Sequence, residues 1–400
     1  MSIDFDALAA ANAPLNAFTD FDRTAKGGTG VLSGMTIGVK ANIMVKGLPW
    51  TAGCEAYRHR IAKRDAEVVA RLRSAGAAII GSLNMEEAAL GAQTNNPFFG
   101  ATQNPHRVGF TPGGSSGGSG AAVAAGLCDV ALGSDTMGSV RIPAAYCGIY
   151  GFKPAHVAIC DDGLEPSEPS LDVIGPVARS LAALEKVTRV ISDFGDGDNN
   201  APETVAAGMT LGDLGGVECS ADVRAVFDQA KAALGTLQSE TLSLPLSRIR
   251  FAGFIKTSRS MAAASQDVDQ SLLSPALRKL LSYGPKRAAT DWEEDQHILA
   301  ATAEEVSHLV TKNGFMLLPT TPQVAFPHSE AAPASQADFT AIANIAGLPA
   351  ISLPGGWSDD GLPIGVQLIG QVGHEAGLFD LAKALDKSLA AYRKPANFGF

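Results

Sequence analysis

One stretch of the sequence, residues 113–148, combines side chains and backbone features that could do chemistry. It opens GGSSGGSGAAVAAG and closes GSDTMGSVRIPAAYCG, with hydroxyl groups at Ser115, Ser116, Ser119 and Ser139. A serine hydroxyl becomes a useful nucleophile when a neighbouring base activates it. Glycine has no Cβ and tolerates positive φ, so such a segment can bring backbone N–H groups close to a ligand. The stretch therefore predicts a binding loop that carries candidate nucleophiles.

Two simpler interpretations of this stretch fit less well. A flexible glycine–serine linker has a similar composition, but the alanine-rich run 121–125 is a good helix former, and residues 130–132 are typical of a buried strand. A linker does not continue into packed elements. A P-loop for phosphate needs Gly-Lys-Ser/Thr, and no lysine occurs here.

The stretch resembles the signature of the amidase signature family of serine hydrolases. The match runs in order from the doubled glycine through SSGGS, GSDT-x-GSVRIPA and Cys-Gly to the GFKP of residues 151–154. Similar segments are GVKANI at 38–43, TTP at 320–322 and NIAGLPAISLP at 344–354. The resemblance therefore covers nearly the whole chain, with a core region at 36–180 and a variable region at 199–297 that in the family builds much of the substrate pocket.

The resemblance implies a Ser-cisSer-Lys triad and an acyl-enzyme. Carried over by motif position, Ser139 is the nucleophile, Ser115 the bridging serine and Lys40 the base. Lysine accepts a proton near neutral pH only if its pKa falls from about 10.4 toward 7–8. Lys40 ends the apolar run IGVK and is followed by Ala41, where family members often carry aspartate. We therefore expect burial to lower the pKa of Lys40.

The resemblance also places the oxyanion hole and substrate-binding groups at Gly114 and at the backbone N–H groups of Thr136, Met137, Gly138 and Ser139. Most family members have Gly-Gly before the nucleophile, whereas this chain has Met-Gly. Methionine keeps the amide donor but disfavours positive φ. Either the backbone here suits a side chain or the hole is altered.

Four neighbouring residues receive structural interpretations. Asp135 and Arg141 flank the serine at 139 and predict a buried ion pair. Ser116 and Ser119 are expected to hydrogen-bond locally and fix the geometry of the loop.

The function expected from the resemblance is hydrolysis of the C–N bond of a small carboxamide, with release of ammonia and a carboxylate. One alternative is the ammonia-releasing subunit of a tRNA-dependent amidotransferase, which works only with partner proteins. Another is a hydrolase of urea-derived amides, of the allophanate or carboxybiuret type. A catalytically inactive scaffold disagrees with the retained lysine and serines.

A further alternative lies in the same letters, because Gly113-x-Ser115-x-Gly117 fits the nucleophile elbow of α/β-hydrolases. That motif needs a hydrophobic strand running directly into it. Thr111 and Pro112 interrupt the approach, and proline does not sit in a central strand. The elbow is therefore the weaker hypothesis.

The bulk composition excludes several function classes. The 400 residues are 46% hydrophobic and 18% charged, with a formal net charge of −10. A nucleic-acid or anionic-membrane surface would need a basic patch, and no block of five Lys or Arg occurs. The five cysteines are scattered without CxxC spacing, which disfavours a disulfide framework and a zinc site. We expect no cofactor or metal, a small-molecule amide as partner and a cytoplasmic location, and leave a homodimer open.

The elements that must position these residues follow an alternation of strand-like and helix-like runs. A strand is predicted at 36–40, a helix at 65–76 with Asp65 as N-cap, and a strand at 77–80. Further helices are predicted at 4–12, in the first part of 84–100 (whose second part is a polar loop), and at 175–192, 221–237, 298–310 and 378–389. Further strands are predicted at 315–318, 351–353 and 364–368. Residues 196–203 are the most linker-like. We predict one α/β domain over 1–400, with a central mixed, mostly parallel sheet between helices.

Overall fold

The structure, a computed structural model, describes residues 3–192, 208–396 and 398. Its strands are β1 (Phe18–Phe21), β2 (Thr36–Lys40), β3 (Ala78–Leu83), β4 (Asn95–Asn96), β5 (Gly100–Ala101), β6 (Val130–Asp135), β7 (Tyr150–Lys153), β8 (Val173–Ala178), β9 (Met209–Leu211), β10 (Gln238–Glu240), β11 (Met316–Pro319), β12 (Ala350–Trp357) and β13 (Pro363–Ile369). Its α-helices are α1 (Phe5–Asn12), α2 (Glu67–Ser74), α3 (Gly117–Ala124), α4 (Arg141–Tyr146), α5 (Leu181–Ile191), α6 (Ala221–Leu234), α7 (Leu246–Ala264), α8 (Pro275–Leu281), α9 (Tyr283–Lys286), α10 (Ala289–Asn313), α11 (Asp338–Ile345) and α12 (Glu375–Leu389).

Eleven of these strands form one continuous sheet in the order β1-β3-β2-β6-β8-β7-β12-β13-β11-β9-β10. The predicted α/β domain with a mixed central sheet is confirmed. The expectation of a mostly parallel sheet is wrong in its balance, because only β3–β2, β2–β6, β11–β9 and β9–β10 pair in parallel. The other six pairings are antiparallel. The alternation of strands and helices in the sequence does not indicate the direction of neighbouring strands, so it did not reveal the antiparallel pairs in the middle of the sheet.

The two faces of the sheet carry different cores, and the alternation of side chains along the strands explains why. Ile37 and Val39 on β2, with Val130 and Leu132 on β6, belong to a large cluster that packs against α2, α5, α6 and α12. Ala131, between the last two, belongs to a second cluster built from the small residues of α3 and α4. Alanine and glycine let these two helices approach the sheet closely, and α3 begins directly after the serine-rich loop.

Several element predictions fail locally. The helix predicted in the first part of 84–100 is absent; a single 3-10 turn, Glu87–Ala89, takes its place, and the polar loop predicted after it contains the short β4–β5 hairpin. The predicted helix over 175–192 begins only at Leu181, because its first residues form β8. Asp65 does not cap α2, whose N-cap is Ala66. The linker-like residues 196–203 lie outside the described residues.

Candidate active site

Lys40 stands at the end of β2, in the middle of the parallel part of the sheet. Since Ile37 and Val39 face the large core, alternation turns Lys40 toward the opposite face, where α3 packs. Its side chain is fully buried, and Nζ lies 2.7 Å from Ser115 Oγ and 2.8 Å from Ser134 Oγ. The structure thus brings together the lysine and one of the two serines named from the sequence.

Burial lowers the pKa of Lys40 to about 7, because the charged ammonium loses its hydration. The carboxylates of Asp172, Asp135 and Glu86 act in the opposite direction but do not cancel the effect. None of these carboxylates is hydrogen-bonded to Nζ in the described part of the chain. A large fraction of the lysine is therefore a neutral amine near pH 7, which can accept a proton.

The loop that carries Ser115 is held by its own backbone. The Gly114–Ser115 peptide bond is cis, the Ser115 carbonyl accepts from Glu86 N at 3.0 Å, and the Gly113 carbonyl accepts from Thr94 Oγ1 at 2.8 Å. A Cβ on Gly114 would lie 2.8 Å from the backbone of Ala92. Close packing requires a glycine at 114, and the expected part of Gly114 in substrate binding stays a prediction.

Ser139 lies between β6 and α4 and is 8% exposed. Its side chain borders a pocket of about 280 Å³ together with Thr136 and Met137. Its carbonyl accepts a hydrogen bond from Ser116 N at 3.2 Å, so its backbone contacts the loop that carries Ser115. Among the described residues its hydroxyl has no hydrogen-bond partner. Ser139 is the serine of the site that faces a space large enough for a ligand.

The backbone of the segment before Ser139 shows why position 137, where most family members have glycine, accommodates a methionine. Met137 does not adopt positive φ, whereas Gly138 has φ +131°. The Met137 carbonyl accepts from Thr340 Oγ1 at 2.6 Å, and the Gly138 N–H donates to Asp135 Oδ1 at 2.7 Å. Both ends of the Met137–Gly138 peptide are therefore held. The Gly138 N–H expected in the oxyanion hole is already used by a carboxylate, which leaves Thr136, Met137 and Ser139 as the residues of this segment beside the pocket.

The methionine side chain has space because α7 carries a glycine opposite it. A Cβ on Gly253 would lie 2.9 Å from Met137 Sδ. The backbone at 137 thus suits a side chain, and the helix that faces it makes room.

The predicted ion pair beneath the site is present and completely buried. Arg141 donates to Asp135 at 3.0 Å, with both side chains at 0% exposure. Burial alone would raise the pKa of Asp135, but the charge and hydrogen bonds of Arg141 hold it at about 2. Arg141 also donates to Asn344 and Gln367, on α11 and β13. The pair anchors the loop before Ser139 to the C-terminal part of the sheet.

Three residues that surround the site were missed from the sequence. Ser134 accepts from Lys40 and also from Asn42 Nδ2 at 3.0 Å. Asp172 accepts from Thr136 Oγ1 at 2.5 Å, and burial raises its pKa to about 6. Ser134 lies inside the quoted GSDT motif and Asn42 inside GVKANI, so both carried a signal. Asp172 carried none.

Ser116 and Ser119 bond to strand β6, which differs slightly from the local role expected. Ser116 Oγ donates to the Ser134 carbonyl at 3.2 Å, and Ser119 Oγ donates to the Leu132 carbonyl at 3.0 Å. Both hydroxyls tie the loop and α3 to the sheet.

The histidine-based elbow receives no support from the geometry. No strand directly precedes Ser115, since residues 102–116 form turns and irregular structure apart from two isolated bridges. His106 and His328 contact backbone carbonyls, and no group of His, Cys, Asp or Glu within the described ranges could hold a metal ion. The described cysteines are all free thiols.

The mixed sheet between helices and the site in which a buried lysine contacts serines beside a pocket are those of the amidase signature hydrolases. The sequence model of the amidase family matches residues 6–379, and the chain belongs to this family of amide-hydrolysing enzymes.

Curated relatives and solved structures agree with this assignment. The chain is 34% identical to the A subunit of glutamyl-tRNA(Gln) amidotransferase from Synechococcus sp. (strain RCC307), over 90% of this chain and 84% of the relative. It is 33% identical to the equivalent protein of Methanospirillum hungatei, over 91% and 94%. The crystal structure of the Thermotoga maritima protein of the same name has 26% identity and a TM-score of 0.82, over 98% and 93%.

A second structural neighbour comes from a vestigial protein complex that reveals the evolutionary origins of an s-triazine catabolic enzyme. It has 27% identity and a TM-score of 0.87, covering 97% of this chain and 96% of that chain. In the described part of this chain, no helix is both long and apolar enough to cross a membrane.

Proposed function

We propose that the protein hydrolyses a small carboxamide to a carboxylate and ammonia, with Ser139 as nucleophile, Ser115 as bridging serine and Lys40 as base. The observation that carries the proposal is the 2.7 Å contact between Lys40 Nζ and Ser115 Oγ in a site that lowers the pKa of the lysine to about 7. Lys153 is also fully buried with a pKa lowered to about 7, but its Nζ contacts only a backbone carbonyl, so it is the contact with Ser115 that distinguishes Lys40.

In the acylation step, neutral Lys40 takes the proton of Ser115, and Ser115 takes the proton of Ser139. The Ser139 oxygen then forms a bond to the amide carbon, and the carbonyl oxygen becomes an oxyanion beside the backbone N–H groups of Thr136, Met137 and Ser139. When the C–N bond breaks, the proton returns from Lys40 through Ser115 to the leaving nitrogen, which departs as ammonia. Water then cleaves the acyl-enzyme by the same relay.

A second candidate function is supported by the curated relatives. They are components of amidotransferases that are similar over 90% of this chain, so ammonia release by this chain could require partner proteins. Allophanate hydrolase is similar in fold, at 24% identity. A self-sufficient amidase and an amidotransferase component would share the same site chemistry and differ in whether partner proteins are required.

The test is ammonia release from simple amides by the purified chain alone, with mass spectrometry of the acyl-enzyme. We expect Ser139→Ala, Ser115→Ala and Lys40→Met each to lower kcat by roughly 10³-fold or more, with effects that do not add, because the three residues act as one relay. Ser119→Ala is the matched control, since Ser119 lies in the same segment but bonds only to the Leu132 carbonyl.

Two results would contradict the proposal in different ways. Near-normal activity of Ser139→Ala would show that another group is the nucleophile. Ammonia release that appears only when partner proteins are added would favour the amidotransferase component over a self-sufficient amidase.

A further inference from the structure

The walls of the pocket beside Ser139 are mainly hydrocarbon. Five apolar side chains border its 280 Å³, from the 84–100 segment, α4, α7, α8 and the loop before α11: Leu90, Ile142, Phe254, Leu280 and Pro333. Ligand pockets of this kind recognise a ligand by shape and apolar contact, with a few polar groups that fix its orientation.

The polar side chains of the wall are already engaged inside the protein. Thr136 Oγ1 donates to Asp172, Thr257 Oγ1 donates to the Gly253 carbonyl at 3.0 Å, and Gln336 Nε2 donates to the Ala92 carbonyl at 2.9 Å. The hydroxyl hydrogens of Thr136 and Thr257 are therefore committed inside the protein, which leaves mainly acceptor lone pairs and the rest of the Gln336 amide for a ligand. Among the hydroxyl groups that border the pocket, that of Ser139 has no hydrogen-bond partner in the described part of the chain.

The wall also carries one charge that is already neutralised. Arg250, on α7, is the cation among the described residues that border the pocket, and its Nε donates to Asp338 Oδ1 at the start of α11. Asp338 is 4% exposed and Arg250 19%. Among the described residues, no carboxylate borders the pocket. A substrate carboxylate would meet a guanidinium whose charge Asp338 already balances, and a substrate ammonium would meet no anion. Either charge would therefore gain less attraction in the pocket than the hydration it loses.

We infer that the acyl group of the substrate is neutral and apolar, of the size of a short branched chain or a single ring, and that amides carrying a carboxylate or an amino-acid head group are excluded. This inference rests on the proposed function and specifies its substrate class. At about 280 Å³ the pocket lies near the lower end of small-ligand pockets, about 300–1,000 Å³, which favours a small acyl group.

The experiment compares amides of matched length by ammonia release from the purified wild-type chain: butanamide and phenylacetamide against succinamate and glutamine. We expect kcat/KM for the neutral pair to exceed that for the charged pair by roughly 100-fold. A preference for succinamate or glutamine overturns the inference and leaves amide hydrolysis standing. Failure to hydrolyse any amide, with or without partner proteins, overturns both.

Two variants test whether the neutralised charge sets the preference. Asp338→Asn removes the partner of Arg250, and we expect the ratio of succinamate to butanamide turnover to rise by roughly tenfold. Asp291→Asn is the matched control, because Asp291 pairs with Arg287 away from this pocket.

Leu280→Arg places an unpaired cation on the pocket wall and covers the case in which Asp338→Asn does not fold. The same rise in the ratio is expected. If a folded variant leaves the ratio at the wild-type value, charge does not exclude anionic amides and the inference is wrong.

Discussion

The side chain of Lys40 unites the two properties that the chemistry needs, contact with a serine and a pKa close to neutrality. Its Nζ is shared between Ser115 and Ser134. Because Asn42 also donates to Ser134, the oxygen of Ser134 acts as an acceptor and fixes the amine. The lone pair of a neutral Lys40 is then available to Ser115. An isolated lysine–serine contact would leave that orientation undefined.

The pH dependence of activity follows from the same residue. The base must be neutral, and the neutral fraction grows as the pH rises through the pKa of about 7. We therefore expect kcat/KM to rise about tenfold per pH unit below 7 and to level off above it. The measurement is kcat/KM for a neutral amide between about pH 5 and pH 9, a range over which circular dichroism checks that the fold is kept.

Lys153 provides a matched control for this profile. It is also fully buried with a pKa lowered to about 7, but its Nζ bonds to the Pro154 carbonyl. We expect Lys153→Met to keep the acid limb, which is the rise of kcat/KM with pH below 7. The residual activity of Lys40→Met should lack it. The limb should also persist in four histidine variants: His297→Gln, His308→Gln, His328→Gln and His374→Gln. Loss of the limb in one of these would assign the base to that residue.

At the scale of elements, the sequence predicted the parts of the site that lie within short segments. The strand that ends in Lys40, the loop with Ser115, helix α3 and strand β6 were all foreseen, because apolar alternation and glycine-rich turns are local signals. The start of α5 was misplaced, because the first residues of the predicted helix form β8, in which Pro176 pairs with Leu132.

The contacts that the sequence did not reveal join distant segments. Thr340 bonds to the Met137 carbonyl across 203 positions, and the Glu86 N–H donates to the Ser115 carbonyl. The Glu86 carboxylate also accepts from the nearby backbone of Gln93 and Thr94. Together these bonds hold an irregular turn where a helix was expected in the first part of 84–100. Tertiary hydrogen bonds of this kind override local propensity.

The contact between α7 and the segment before Ser139 gives a prediction at this scale. Gly253→Ala should leave the free energy of unfolding unchanged or raise it by up to about 1 kcal/mol, because alanine favours a helix interior. The new Cβ would lie 2.9 Å from Met137 Sδ and push the methionine toward the pocket. We expect kcat/KM to fall by roughly tenfold, measured beside urea unfolding.

The double variant Gly253→Ala with Met137→Gly is the control for that pair. It removes the side chain that is displaced and should regain activity relative to Gly253→Ala. No regain, or an equal loss of stability in both variants, would show that the effect comes from α7 itself.

At the scale of the whole molecule, one buried polar network connects the two halves of the chain. Asp135 and Arg141 belong to the first half, and Asn344 and Gln367 to the second. Asp135 also receives the N–H groups of Gly138 and Val140. The network therefore couples the geometry of the loop before Ser139 to the assembly of the full sheet.

Asp135→Asn should consequently destabilise the entire fold. It leaves the guanidinium of Arg141 buried without a counter-charge, which costs about 3–5 kcal/mol. The comparison is Asp6→Asn, which breaks the exposed pair with Arg23 and should cost less than about 1 kcal/mol. Urea unfolding measures both. Equal small losses would mean that the buried pair is dispensable for folding.

The close approach of Met137 to Gly253 has a consequence for how such a site can change over many generations. While methionine occupies position 137, a bulkier residue at position 253 is a harmful first step. Once glycine replaces the methionine, the same change at 253 becomes neutral. The order of substitutions is thus constrained, and glycine at 253 is the permissive state that must precede a side chain as long as methionine at 137.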